Sequence, residues 1–178
     1  MDVVVFASAY WDEPLWTNKQ HVSIRLARRH RVLYVEPGFS RSIIVSRRGL
    51  APDLSGALPP GLAVLSPLDL PLRRGPLLVR KLAYRLLTRR IRAVLDRWRS
   101  DRFACLIYYP EGVRLLDSLS PTIVAYDCVD DLLTQPHIAG RPSLAASLAA
   151  AESRLVESAD LVFATSPELY RRLLARNP

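Results

Sequence analysis

Short apolar runs and longer amphipathic stretches alternate along the whole chain. The runs Val3–Ala7, Val32–Val35, Ile43–Val45, Ala63–Leu65, Ala104–Tyr108, Thr122–Tyr126 and Leu161–Ala164 each read as a strand. Several are apolar without interruption, as strands covered on both faces must be. Between them the spacing switches to the helical period. Thr17 or Asn18 can cap a helix to about His30, with Val22, Ile24, Leu26 and Ala27 as its apolar residues. A long helix follows Gly75-Pro76 and runs to about Ser100, and another spans about Ser143 to Ser158. Ser166-Pro167-Glu168 opens a last helix with a hydroxyl cap, a proline at the first helical position and an acid at the positive dipole end. The Pro- and Gly-rich stretch from Gly49 to Pro76 reads as an irregular connection. This alternation predicts an α/β fold: a doubly wound, mostly parallel, Rossmann-like sheet of six or seven strands in a single domain over residues 1–178.

Composition narrows the class. The 178 residues are 49% hydrophobic and 24% charged, enough apolar content for one core and too much for disorder. Met1 to Tyr10 carries Asp2 and no basic n-region, so it reads as a strand and not as a signal peptide. No apolar stretch reaches the roughly 18 residues of a membrane span, so a cytoplasmic domain is expected. Cys105 and Cys128 sit inside strand-like runs and are expected as buried, reduced thiols. The three histidines, His21, His30 and His137, lack metal-ligand spacing, and no metal is expected. No GxGxxG, GxxxxGK[ST] or GxSxG is present, which argues against a dinucleotide fingerprint, a P-loop and a hydrolase elbow.

The net charge of +8 is concentrated. Arg73 to Arg102 holds eleven lysines and arginines against only Asp96 and Asp101, so this segment carries the entire positive excess. At about 100° per residue, Lys81, Arg85, Arg89, Arg92 and Arg99 share one helical face with Asp96, and Leu78, Leu82, Leu86, Leu87 and Val94 are assigned to the opposite, core-facing side. A core helix with a solvated cationic face explains the apolar stripe. It does not explain a polar face of one sign, because helix stability favours mixed pairs. An anionic leaflet does, at about 1 kcal/mol per basic residue near the surface. Nucleic acid is disfavoured, since no aromatic residues interleave with the cations.

In open parallel sheets the ligand lies beyond the carboxyl ends of the strands. Those ends carry Tyr10-Trp11-Asp12-Glu13, then Trp16-Thr17-Asn18-Lys19-Gln20-His21, Glu36-Pro37-Gly38, Tyr109-Pro110-Glu111-Gly112 and Asp127-Cys128-Val129-Asp130-Asp131. Aromatic faces stack on sugar rings and carboxylates accept from hydroxyls, so the set favours a polyhydroxylated ligand over plain surface loops. Asn18 to His21 also opens a helix, where free N–H groups suit a phosphate. The bland alternatives are an ordinary solvated first turn there, aromatic residues that pin a long loop, an acid at Glu111 on the first turn of a helix, and a cap at Asp130 or Asp131.

Three motifs carry a resemblance. Trp11-Asp12 … Asn18-Lys19-Gln20-His21 … Arg31-Val32-Leu33-Tyr34-Val35-Glu36-Pro37 resembles the opening of bacterial GT-B glycosyltransferases of the family-one/family-four type. Val124 to Asp131 is similar to their YD-x-x-D-D element, and Glu152 … Ala159-Asp160-Leu161-Val162-Phe163-Ala164-Thr165-Ser166 to their E … DLVF-x-TS run. The resemblance implies the N-terminal, acceptor-side half of a two-domain enzyme in cell-envelope or exopolysaccharide assembly. No cofactor belongs to this half; the donor is a nucleotide-diphosphate sugar held by a C-terminal half expected beyond residue 178, so the chain alone is expected to be inactive. It implies Asp130 and His21 as the catalytic candidates and Trp11, Asp12, Lys19, Tyr109, Glu111 and Asp127 as acceptor-side residues. Many retaining relatives have a histidine where this chain has Tyr109. The expected partners are a sugar or lipid-linked acceptor and an anionic membrane surface at the inner face of the plasma membrane, with no nucleic acid. Two rivals remain: a non-catalytic sugar- or membrane-binding module, and another GT-B-fold enzyme such as a nucleotide-sugar epimerase.

Overall fold

The structure is a computed structural model that describes residues 1–37, 58–66 and 77–177. The fold is α/β, with a six-stranded parallel sheet flanked by helices in the Rossmann-like, doubly wound manner. The strands are β1 (Asp2–Phe6), β2 (Val32–Val35), β3 (Leu62–Leu65), β4 (Phe103–Ile107), β5 (Ile123–Cys128) and β6 (Leu161–Ala164), in the order β3-β2-β1-β4-β5-β6. Of the seven expected strands, six are present within a residue or two; the segment Ile43–Val45 lies outside the described residues. The chain divides into two compact units, Met1–Phe103 and Ala104–Pro178.

In the first unit, β1 and β2 are buried along their whole length, which is why Val3 to Phe6 and Val32 to Val35 tolerate no polar alternation. Helix α1 (Asn18–Ala27) begins where the Thr17 cap predicts, and Gln20 Oε1 accepts from both the backbone N–H and the hydroxyl of Thr17. Its inner face differs from the expected one. Gln20, Ser23 and Ala27 are buried, while Val22, Ile24 and Leu26 are only partly covered. Small and polar side chains there bring the helix close to β2 and β3, and the Ser23 hydroxyl is satisfied by donating to the Lys19 carbonyl. Gly61 sits just before β3 at φ +83°, and a Cβ there would meet the Ala27 carbonyl oxygen at 2.9 Å. Its own carbonyl accepts from Val32 N–H, so the glycine fixes where β3 joins β2.

Helix α2 (Leu77–Arg97) ends three residues before the expected limit. Arg99 is left-handed at φ 51°, and the N–H groups of Arg99 and Ser100 return to the carbonyls of Asp96 and Leu95. Arg99 therefore lies beyond the helix and not on its cationic face. A second correction concerns the inner stripe. The buried apolar residues are Ala83, Leu87, Ile91 and Leu95, a strict i, i+4 row, whereas Leu78 is 79% and Leu82 54% exposed. Leu78 and Leu82 stand on the solvent face with Lys81, Arg85, Arg89 and Arg92.

In the second unit, β4 is almost wholly buried and a 3-10 turn at Pro110–Gly112 leads into α3 (Val113–Leu119). Strand β5 extends two residues past the expected end, so Asp127 and Cys128 belong to the strand itself. A 3-10 turn (Leu132–Thr134) and a one-turn helix α4 (Pro136–Ala139) follow; neither is long enough to show a period in sequence. Helix α5 (Pro142–Ser158) buries Leu148, Ala151, Glu152, Leu155 and Val156, and α6 (Pro167–Leu174) starts with Ser166 Oγ accepting from Leu169 N–H.

Candidate functional site

The candidate residues fall into two groups, one in each unit. In the first, the loop after β1 is held by side chains that enter it from several directions. Trp11 N–H donates to Glu36 Oε1 at 2.9 Å, and the other oxygen of Glu36 accepts from Ser66 Oγ. Gln20 Nε2 donates to the Tyr10 carbonyl, Tyr34 Oη to the Ala9 carbonyl, and Tyr10 N–H to Glu13 Oε1. Glu36 and Gln20 are themselves buried, so these bonds are made in a poorly solvated setting where leaving one unmade is costly.

On this frame the aromatic rings form a continuous wall. Trp11 packs edge-on against Tyr34 at 5.1 Å between centroids and tilted against Trp16 at 5.2 Å, and Trp16 meets the His21 ring edge-on at 5.8 Å. Such edge and tilted contacts suit the ring quadrupoles. Tyr34 is buried, Trp11 half-buried and Trp16 38% exposed, so the wall runs from core to solvent. Asp12 is half-buried beside it. Of the two basic residue types at the helix start, Lys19 is buried and His21 exposed. Glu36 and Gln20 hold the loop, and Ser66 holds Glu36; the sequence places Glu36 and Gln20 at the strand ends without this bracing role and does not point to Ser66, and the reciprocal Thr17/Gln20 spacing is the available signal for one of them.

In the second unit, the end of β5 carries the acids. Tyr108 is buried, and burial followed by the neighbouring Asp127 carboxylate pushes its hydroxyl pKa up, so it stays a protonated donor beside a half-buried acid. Tyr109 is half-buried and Glu111 buried in the 3-10 turn that follows β4, ahead of α3. Asp131 performs the capping role: it accepts from Leu133 N–H and pairs with Arg172 at 2.8 Å. Arg172 also approaches Glu152 at 3.7 Å, and Glu152 accepts from the buried Tyr126 hydroxyl at 2.9 Å. Burial, then the Glu152 charge, raises Tyr126 and keeps it a donor. Burial alone would lower Arg172; its bond to Asp131 and the charges of Glu152 and Asp131 outweigh that. Thr165 pins the intervening loop, with its hydroxyl on the Val129 carbonyl and its N–H on that of Cys128.

Asp131, Glu152 and Arg172 are thus used up in holding the second unit together. Asp130 is different. It is exposed, and among the described residues no group pairs with its carboxylate. Cys105 and Cys128 are free and buried, and burial raises both thiols, which makes them poor nucleophiles. Among the described residues no cluster of His, Cys, Asp and Glu could hold a metal ion. No described helix is long and apolar enough to cross a membrane.

An open cleft of about 510 Å³ lies at the opposite edge of the first unit, at the amino ends of β1 and β2. Asp2, Arg28, Arg29, His30 and Arg31 line it, and Arg31 is already committed to Asp2 by two bonds of 2.8 and 2.7 Å. It contains none of the candidate residues. Compared with family models, curated proteins and solved structures, the chain matches none.

Proposed function

We propose that the chain is the acceptor-side half of a GT-B glycosyltransferase, acting in cell-envelope or exopolysaccharide assembly. The observation that carries this reading is the braced aromatic wall of Trp11 and Trp16. A flat sugar face needs a rigid, part-exposed aromatic surface, and ring atoms fixed before binding lose little entropy when the ligand arrives. Its three-motif likeness to the family supplies the reaction class. The donor in this reading is a nucleotide-diphosphate sugar held by a C-terminal half.

The chemistry asked of this half is modest. Asp130, exposed and uncommitted, takes the proton of an acceptor hydroxyl; that oxygen bonds to the anomeric carbon as the bond from carbon to the nucleotide phosphate breaks, and the diphosphate leaves with the electron pair. His21 is the alternative base, at the edge of the aromatic wall. By the family likeness, Trp11, Asp12 and Lys19 of the first unit and Tyr109, Glu111 and Asp127 of the second are the acceptor-side residues. The acceptor is lipid-linked, and the setting is the cytoplasmic face of the plasma membrane, with the cationic face of α2 toward anionic lipid.

Saturation-transfer NMR with monomeric octyl glucoside, mannoside and galactoside tests the reading. Ring protons of at least one glycoside should receive saturation, and Trp16→Ala should weaken that glycoside by about 1–2 kcal/mol, the usual cost of truncating an aromatic contact. Saturation confined to the octyl chains, equal in the variant, would remove the sugar from the account.

A further inference from the structure

The cationic helix does more than face solvent. Arg90 Nη1 donates to the carbonyl of Ser66, one residue past the carboxyl end of β3, while the Trp98 carbonyl accepts from Arg31, one residue before β2. The stretch from Arg90 to Trp98 therefore spans the height of the strands. Everything earlier in α2, from Leu77 to Arg89, amounts to about 20 Å of helix at 1.5 Å per residue. Its amino end therefore lies toward the carboxyl edge of the first unit.

This part of α2 is two-faced. Ala83 and Leu87 are covered, so its inner side is packed. On the outer side Leu78 and Leu82 form an i, i+4 pair, 79% and 54% exposed, between Lys81 and Arg85 and continued by Arg89 and Arg92. A single exposed leucine is ordinary; two stacked leucines ringed by four cations are not. No acid interrupts this face before Asp96, and no aromatic side chain stands on it. Leu15, 81% exposed, lies in the loop after β1 at the same carboxyl edge.

We infer that the first half of α2 is an interfacial membrane anchor, in which Leu78 and Leu82 enter the acyl boundary of an anionic leaflet and Lys81, Arg85, Arg89 and Arg92 rest on the lipid phosphates. Charge complementarity selects the occupant: arginine and lysine stems cover apolar surface while their heads reach phosphate, and the exposed leucines need an apolar phase that nucleic acid does not offer. The inference rests on the proposed function and deepens it by adding insertion of Leu78 and Leu82 and by turning the carboxyl edge, with the Trp11 and Trp16 wall, toward the bilayer.

The test uses the full chain and vesicles of phosphatidylcholine with and without phosphatidylglycerol, free of any glycan, so that its failure leaves the sugar reading standing. Because the native thiols are buried, Leu82→Cys supplies one accessible site for an environment-sensitive fluorophore, with Asp117→Cys as a control on an exposed position. On anionic vesicles the label at 82 should shift to the blue and become shielded from an aqueous quencher, while the label at 117 stays in water. L78S/L82S should lower partitioning about tenfold or more while its thermal melt is kept, and each charge reversal among Lys81, Arg85 and Arg89 should cost about fivefold or more. Salt-sensitive binding with the label at 82 left in water would overturn insertion. So would unchanged binding of L78S/L82S, absence of vesicle binding at low salt, or displacement of the protein from vesicles by an oligonucleotide.

Discussion

Two neighbouring acids in one motif have opposite fates. Asp131 caps a turn and holds Arg172, whereas Asp130 points into solvent with no partner among the described residues. Asp131→Asn should therefore cost about 1–2 kcal/mol in a denaturant melt, the range for a charged hydrogen bond with part-exposed partners. Asp130→Asn should leave the melt within about 0.5 kcal/mol and, on the proposed glycosyltransferase reading, remove transfer in an assay that supplies a donor-binding half. Sequence left the two residues open because both precede the same turn; only the position of Arg172, 41 residues on, separates them. A different acid carries the pH dependence. Burial would raise Asp2, but its bonds to Arg31 and Ser100 and the Arg31 charge hold it below the usual carboxylate value. The folded pKa is the depressed one, so this stability is present above the unfolded value of about 4 and is lost as the pH falls from there through the folded value. Asp2→Asn should lower stability at neutral pH by about 1–2 kcal/mol and flatten the acid limb below about pH 4, as read from melts across that range.

At the scale of elements, the strands and helix starts were legible and the inner faces were not. Valine-rich runs and the Ser166-Pro167-Glu168 start are local signals, and the structure has them where they were expected. At about 100° per residue Leu78 and Leu82 fall beside Arg85 and Arg89 on α2, so their assignment to the core misplaced them on the helical wheel. The same period puts Ala83, Leu87, Ile91 and Leu95 on another side of the helix, and that row is the one the structure buries. Helix α1 shows the converse: its inner face is Gln20, Ser23 and Ala27, chosen for close approach and hydrogen bonding and not for apolar area. Gly61 is the counterpart of that close approach. Gly61→Ala would put a Cβ against the Ala27 carbonyl in a left-handed backbone, and about 1–3 kcal/mol of destabilisation is expected from the strain in a chemical melt. An unchanged melt would mean that α1 and β3 can move apart freely.

For the molecule as a whole, the doubly wound sheet was readable from alternation, and the placing of candidate residues after strand ends followed from it. The bracing was not. Glu36 reaches the β1 loop from beyond β2 and is itself held by Ser66 from beyond β3, contacts of 25 and 30 residues' separation, and sequence spacing has no access to them. Such bracing holds the backbone of the loop that carries Trp11, and the acceptor reading depends on it. The three tryptophans allow a direct test, since Trp98 lies at the other end of the unit under Arg31 and serves as an internal reference. The measurement is a proton–nitrogen correlation spectrum of the indole groups during titration with the octyl glycoside that binds best. Saturable shifts of the Trp11 and Trp16 indoles, with Trp98 unmoved, are the expected result. Shifts of Trp98 alone, equal drift of all three, or no saturable change with any glycoside would contradict the account.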